Sequence, residues 1–454
     1  MKIFSLLFII PFAFLSCKQV DNPKEQLLKW AKKGEINESV SCKSDPSQTY
    51  CLYLPSNYET GKVYPIIYAF DPHGKGHIPV SLIKKTAENL GYIVVGSNNS
   101  RNGLRPEELN HILSTLIADT QNKLAIDSKR VYLIGFSGGA RVACMVAQGV
   151  SGVKGVIACS AGFQPSRNYL SFHFIGVAGS RDMNYLEMRK LNGMLDSLEI
   201  SNQFIVFNGK HQWPNESTIS EAITMLEIYS MKESVIPKDL QKITDYLNSN
   251  KGRIEMLKSY GNTDSLALAF SISRRTIQIL EGIANLEELK STDSKLESNS
   301  EVRKYLGNQL ELEKYEEQKQ NEFIESFGSK PQTWWDDQIK QLNDEKLGVK
   351  GDVSKRLLGF ISLSCYGYVN RALQSHNWET ANYFTSIYSQ VDPENPDSWY
   401  AMACLQANTN KAKDAIASLK KAISFGYSDF TKMKADPLLI NLSSLPEFGE
   451  ITKK

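Results

Sequence analysis

A doubly wound α/β domain with a mostly parallel sheet, followed by an all-α region, is the architecture that the sequence predicts. Two observations carry this expectation. Between residues 36 and 232, short apolar runs alternate with helical patterns, which is the signature of a sheet covered by helices on both faces. After Glu233 the two-residue β period vanishes and long charged amphipathic stretches take over. The length agrees, because 454 residues is about three times the ~150-residue domain unit.

The strands are expected at 50–54, 64–70, 92–97, 130–135, 153–159, 173–178 and 203–208. Most of these are continuous apolar runs, as strands buried on both faces of a parallel sheet require. Helical patterns at 79–90, 105–125, 138–149, 184–198 and 216–232 fill the intervals. In such a sheet the functional loops leave the carboxyl ends of the strands. The α/β domain is placed at 36–232 and a helical region at 233–355, with stretches such as 240–247, 267–280 and 302–322. From 356 to 454 a weak 34-residue period relates Ala381 to Ala415, with Pro393 and Trp399 between them. This spacing resembles the tetratricopeptide helix pair, which implies a surface for a protein partner.

Composition excludes several classes. Hydrophobic residues at 41%, aromatics at 10% and charged residues at 22% are ordinary globular values, unlike collagen-like, disordered or multi-span membrane chains. A net charge of +2 offers no footprint for nucleic acid. At the amino terminus, Lys2 precedes an apolar run over 3–16, too short to span a bilayer. Its end, Phe14-Leu15-Ser16-Cys17, resembles a bacterial lipobox. The resemblance implies a signal peptide over 1–17, lipidation of Cys17, export, and a membrane anchor facing the periplasm or the cell surface. Residues 18–35 then serve as a tether and a short helix. Of the remaining cysteines, none has metal-ligand spacing, so no metal site is expected. Cys42 and Cys51 flank a turn signal, which leaves them either bridged or free.

The chemistry is expected at Gly135-Phe136-Ser137-Gly138-Gly139, between the strand at 130–135 and the helix at 138–149. A strand-to-helix G-x-S-x-G turn exposes a strained serine at a helix N-terminus, with glycines where side chains would collide. A serine hydroxyl needs an imidazole base and a carboxylate to orient that imidazole. Asp182 follows the strand at 173–178 and His211 follows the strand at 203–208, in the order Ser137, Asp182, His211.

Residues 36–232 therefore resemble the α/β-hydrolases of compact esterase type, similar to dienelactone hydrolases, polyhydroxybutyrate-depolymerase-like enzymes and feruloyl esterases. The matching segments are the serine turn, the acid loop, His211-Gln212-Trp213-Pro214, and His73-Gly74 after the strand at 64–70. The resemblance implies an oxyanion hole made by the N–H of Gly138 and one from Gly74 or Lys75. It also implies ester hydrolysis through an acyl-enzyme, without metal or organic cofactor. Asn99 and Arg101, on the loop after the strand at 92–97, serve either substrate contact or turn formation. Trp213 serves either a pocket wall or the core. A short domain without a large cap implies an open pocket for a small-molecule or polymer-linked ester. A serine peptidase of prolyl-oligopeptidase type and a binding lipoprotein with a vestigial hydrolase domain are the alternatives.

Overall fold

The computed structural model describes residues 30–165 and 170–453. The lipobox with Cys17, and most of the tether, lie outside the described residues. By packing, the chain divides into two compact units: one runs to Gln309 apart from Arg181–Met183, and the other holds those three residues and Leu310 onward. This division falls later than residue 232, where the change in sequence character places the end of the α/β domain.

In the first unit, β1 (Ile36–Ser41), β2 (Thr49–Tyr53), β3 (Tyr64–Phe70) and β4 (Ile93–Ser97) are followed by β5 (Ile126–Phe136), β6 (Val153–Cys159), β7 (His173–Gly179) and β8 (Asn202–Phe207). They form one eight-stranded sheet in the order β1-β2-β4-β3-β5-β6-β7-β8. β2 runs antiparallel to β1 and β4, and the other neighbours are parallel. The intervening helices are α1 (His77–Leu90), α2 (Pro106–Lys123), α3 (Gly138–Gly149), α4 (Tyr185–Ser197) and α5 (Glu216–Lys232). This order and these connections define the α/β-hydrolase fold.

Strand alternation sorts side chains onto two cores. Ile66, Tyr68 and Phe70 of β3 face the cluster that Leu113 and Leu116 of α2, Ala140 and Ala143 of α3, and Met188 of α4 complete. Ile67 and Ala69 face the other cluster, with Val80 and Ile83 of α1 and Ile219 and Ile223 of α5. Each large aliphatic or Phe side chain among them, fully buried, contributes roughly 1.5–3 kcal/mol of transfer free energy, so a charge on β3 has no face to occupy. The second cluster extends into α6 (Leu240–Tyr260), α7 (Thr263–Leu280) and α8 (Glu287–Ser298), through Ile243, Ile272 and Leu289. That shared core explains why the first unit does not end with α5.

The same sorting decides the cysteine question. Cys42 belongs to one cluster and Cys51 to the other, so their side chains lie on opposite faces of the sheet. Both are free and buried. Burial and the Asp119 carboxylate push the Cys42 thiol up to about 11; burial, with a smaller contribution from Glu38, pushes Cys51 up to about 12. Both are neutral thiols near pH 7.

A long helix, α9 (Ser300–Ser326), leads into α10 (Gln332–Glu345), α11 (Gly351–Gln374), α12 (Trp378–Val391), α13 (Pro396–Ala407), α14 (Ala412–Ser424), α15 (Phe430–Ala435) and α16 (Pro446–Ile451). In the second unit α11 packs on α12, and α13 on α14. Ala381 and Ala415 are fully buried, where a larger side chain would part the helices. The Trp399 indole N–H donates to the Pro393 carbonyl at 2.7 Å. Trp335 is fully buried in this core, and Arg356 holds Glu316 in a buried bidentate pair at 2.6–3.0 Å.

Candidate active site

The three candidate residues each follow a strand of the sheet. Ser137 follows β5, Asp182 follows β7 by three residues, and His211 follows β8 by four. At Ser137 the chain adopts φ 52° and ψ −119°, a positive-φ conformation that costs a non-glycine residue about 1–3 kcal/mol. The surroundings hold it there. The Ser137 N–H donates to the Cys159 carbonyl at 2.8 Å, and the Ser137 carbonyl accepts from Ala140 and Arg141 as α3 begins. A β-carbon on Gly135 would collide with the Gly139 carbonyl, and one on Gly139 with the Phe70 carbonyl at the end of β3. Strand, turn and helix thus pack backbone to backbone.

His211 Nε2 lies 3.0 Å from Ser137 Oγ. This distance places the imidazole to take the hydroxyl proton. The ring is half-buried and packs on Phe136, with centroids 4.8 Å apart. The loop that carries His211 is drawn against the end of β7. Ser180 N–H donates to Phe207 O at 2.8 Å, and a β-carbon on Gly179 would lie 2.5 Å from the Gly209 carbonyl. Asp182 is fully buried.

The expected oxyanion donors divide. The Gly138 N–H, at the start of α3, makes no hydrogen bond among the described residues. The other two N–H groups are already engaged: Gly74 donates to the Asp71 carbonyl at 3.1 Å, and Lys75 to Asp71 Oδ1 at 3.4 Å. The expectation that Gly74 or Lys75 supplies a donor is therefore corrected, because Asp71 turns these amides inward.

Asp71 is the residue that sequence reasoning missed. It is 2% exposed, and its Oδ1 also accepts from the His73 N–H at 2.9 Å. Its Oδ2 accepts the Trp213 indole N–H at 2.8 Å. One carboxylate thus fastens the loop after β3 to the loop of His211. The signal was present as an Asp-Pro pair closing a buried strand, where an Asx turn is favoured. Trp213 packs against Phe136 with centroids 5.6 Å apart and serves as a clasp through Asp71. Asp71→Ala is expected to lower stability by ~2 kcal/mol, since a hydrogen-bonded buried acceptor is lost and its donors are left unpaired. It should also lower kcat by ~10–100-fold through a displaced His211. Thermal unfolding beside steady-state kinetics checks both.

Asn99 and Arg101 part company too. Asn99 is spent on the β1–β2 turn, accepting from Thr49 N–H at 2.8 Å and donating to Ser47 O at 3.2 Å. Arg101 is exposed and bridges to His73 through the backbone. Both line an open cavity of about 400 Å³ with Gln48, Leu104 and His111. Among the described residues, no group of three or more His, Cys, Asp or Glu side chains could hold a metal ion.

The sheet order, the serine turn and the imidazole beside it define the class: an α/β-hydrolase fold carrying a serine–histidine pair. No family model matches this chain, and neither does any curated protein. Among solved structures it is similar to the S-formylglutathione hydrolase FrmB of Staphylococcus aureus, at 14% identity, over 43% of this chain and 98% of that one, with a TM-score of 0.36. Esterase B of Lactobacillus rhamnosis is 18% identical over 44% of this chain and 87% of that one, with a TM-score of 0.36. An acylaminoacyl peptidase of Pyrococcus horikoshii is 12% identical over 44% of this chain and 41% of that one, with a TM-score of 0.33.

Proposed function

We propose that this protein is a serine hydrolase of carboxylic esters acting through Ser137, His211 and Asp182. The observation that carries the reading is the 3.0 Å approach of His211 Nε2 to Ser137 Oγ at a strained strand-to-helix turn. His211 takes the Ser137 proton as the oxygen attacks the ester carbonyl, and the carbonyl electrons move onto oxygen beside the Gly138 N–H. Collapse of this intermediate expels the alcohol, which takes the proton back from His211, and leaves an acyl-enzyme. Water, deprotonated by the same imidazole, attacks the acyl carbon and releases the acid and Ser137. Asp182 is assigned the third role, orienting the imidazole and stabilising its charged form. Its place after β7, between the serine and the histidine in chain order, and its burial support this assignment.

The test is a panel of acyl esters and matching aminoacyl amides offered to the purified protein. Ester turnover well above amide turnover is expected. Preferential amide cleavage would replace the reading with a peptidase, and no turnover of either would favour a binding protein. The reading includes export and acyl anchoring at Cys17, supported by the lipobox-like end of the leader. It also includes a protein partner for the helix pairs of the second unit. Metabolic labelling with an alkynyl fatty acid, lost in Cys17→Ala, tests the anchor.

A further inference from the structure

The geometry points to the Asn102 carboxamide as the second hydrogen-bond donor to the oxyanion, opposite the Gly138 N–H. The inference rests on the serine-hydrolase reading and names a residue that the serine turn and its partners do not include.

The loop after β3 borders the serine turn through the Phe70 carbonyl, and the amides from which a second donor was expected are engaged. Pro72 carries no N–H, and the N–H groups of His73, Gly74 and Lys75 all point back to Asp71. An oxyanion beside Gly138 needs a second donor besides the Gly138 N–H. The structure places one candidate against that residue. A β-carbon on Gly138 would collide with Asn102 Oδ1 and lie 2.8 Å from Cγ and 3.2 Å from Nδ2. The planar amide thus covers the α-carbon of the residue whose own N–H is unspent. Glycine at 138 is what lets it approach.

The approach is pinned by backbone. Asn102 N–H donates to Pro72 O at 2.8 Å, Arg101 bridges to His73, and Ser100 N–H donates to Ser97 Oγ at 3.0 Å. Neighbouring asparagines of the same loop are committed elsewhere. Asn98 Nδ2 donates to Glu38 O and Thr49 Oγ1, and Asn99 Nδ2 to Ser47 O. The Asn102 side chain makes no hydrogen bond among the described residues. A half-turn about χ2 exchanges its oxygen and nitrogen, so developing negative charge selects the N–H face. A donor of this kind, uncommitted among the described residues and lying against the residue after the nucleophile, is what electrostatic stabilisation of a tetrahedral intermediate uses.

Steady-state hydrolysis of p-nitrophenyl acetate by the full chain, as wild type, Asn102→Ala and Asn102→Asp, tests this. Asn102→Ala is expected to lose ~10²–10³-fold in kcat, the usual effect of removing one oxyanion donor, with KM nearly unchanged. Asn102→Asp keeps the size and turn chemistry but offers a carboxylate, and it is expected to lose at least as much. A wild type that turns over while either variant retains its kcat overturns the proposal and leaves the hydrolase reading standing. So does a loss confined to KM. A wild type that neither hydrolyses esters nor reacts with a fluorophosphonate removes the reading and this proposal together.

Discussion

Ser137→Ala is expected to lower ester turnover by roughly 10⁴–10⁶-fold, the range found when the nucleophile of a serine triad is removed. The described cysteines of the first unit are buried, and Cys42 and Cys51 are neutral thiols, so none of these offers a thiolate nucleophile. The fold should tolerate the change. The Ser137 backbone contacts to Cys159, Ala140 and Arg141 do not involve the hydroxyl, so thermal unfolding should move by no more than a degree or two. Kinetics and unfolding on the same preparation separate chemistry from folding. A variant that retains a tenth of the activity would place the chemistry elsewhere.

Gly139→Ala should act through the opposite route. The added methyl meets the Phe70 carbonyl, and neither backbone segment can yield: β3 is held between β4 and β5, and α3 starts at Gly138. Overpacking of this kind costs about 1–3 kcal/mol when side chains can shift, and more when the obstacle is backbone. A loss of ~3 kcal/mol or more is therefore expected, with activity lost even at temperatures where the variant is folded. Thermal unfolding and ester kinetics check this, and an unchanged midpoint would contradict the backbone packing described at the turn. Ser137→Gly, by contrast, relieves the positive φ and should raise the midpoint while removing activity.

The parts legible in the sequence are those where burial dictates composition. β3 is buried along its whole length, as its unbroken apolar run requires, and the glycines flanking Ser137 are forced by carbonyls in contact. β1 escaped because it is an edge strand of mixed exposure, Ile-Asn-Glu-Ser-Val-Ser, with no clear alternation. The helices α6–α8 are readable as helices, but an amphipathic stripe does not say what it packs against. Their sharing of a core with α5 therefore had no sequence signal. Among the candidate residues, Ser137, Asp182 and His211 stand out because the proposed chemistry demands those residue types after particular strands. The hydrogen bonding around Asp71 does not stand out in this way. Whether a loop amide is aimed at substrate or folded back on a carboxylate depends on a few torsions, and the His-Gly pair suggested the former where the latter occurs.

The central claim, that the Ser137 hydroxyl is made nucleophilic by His211, is tested most directly by reaction with a fluorophosphonate followed by peptide mass mapping. The account predicts a single phosphonyl adduct on the peptide containing Ser137, and its absence in Ser137→Ala and in His211→Ala. A wild type left unmodified, or an adduct that persists in Ser137→Ala, would contradict it.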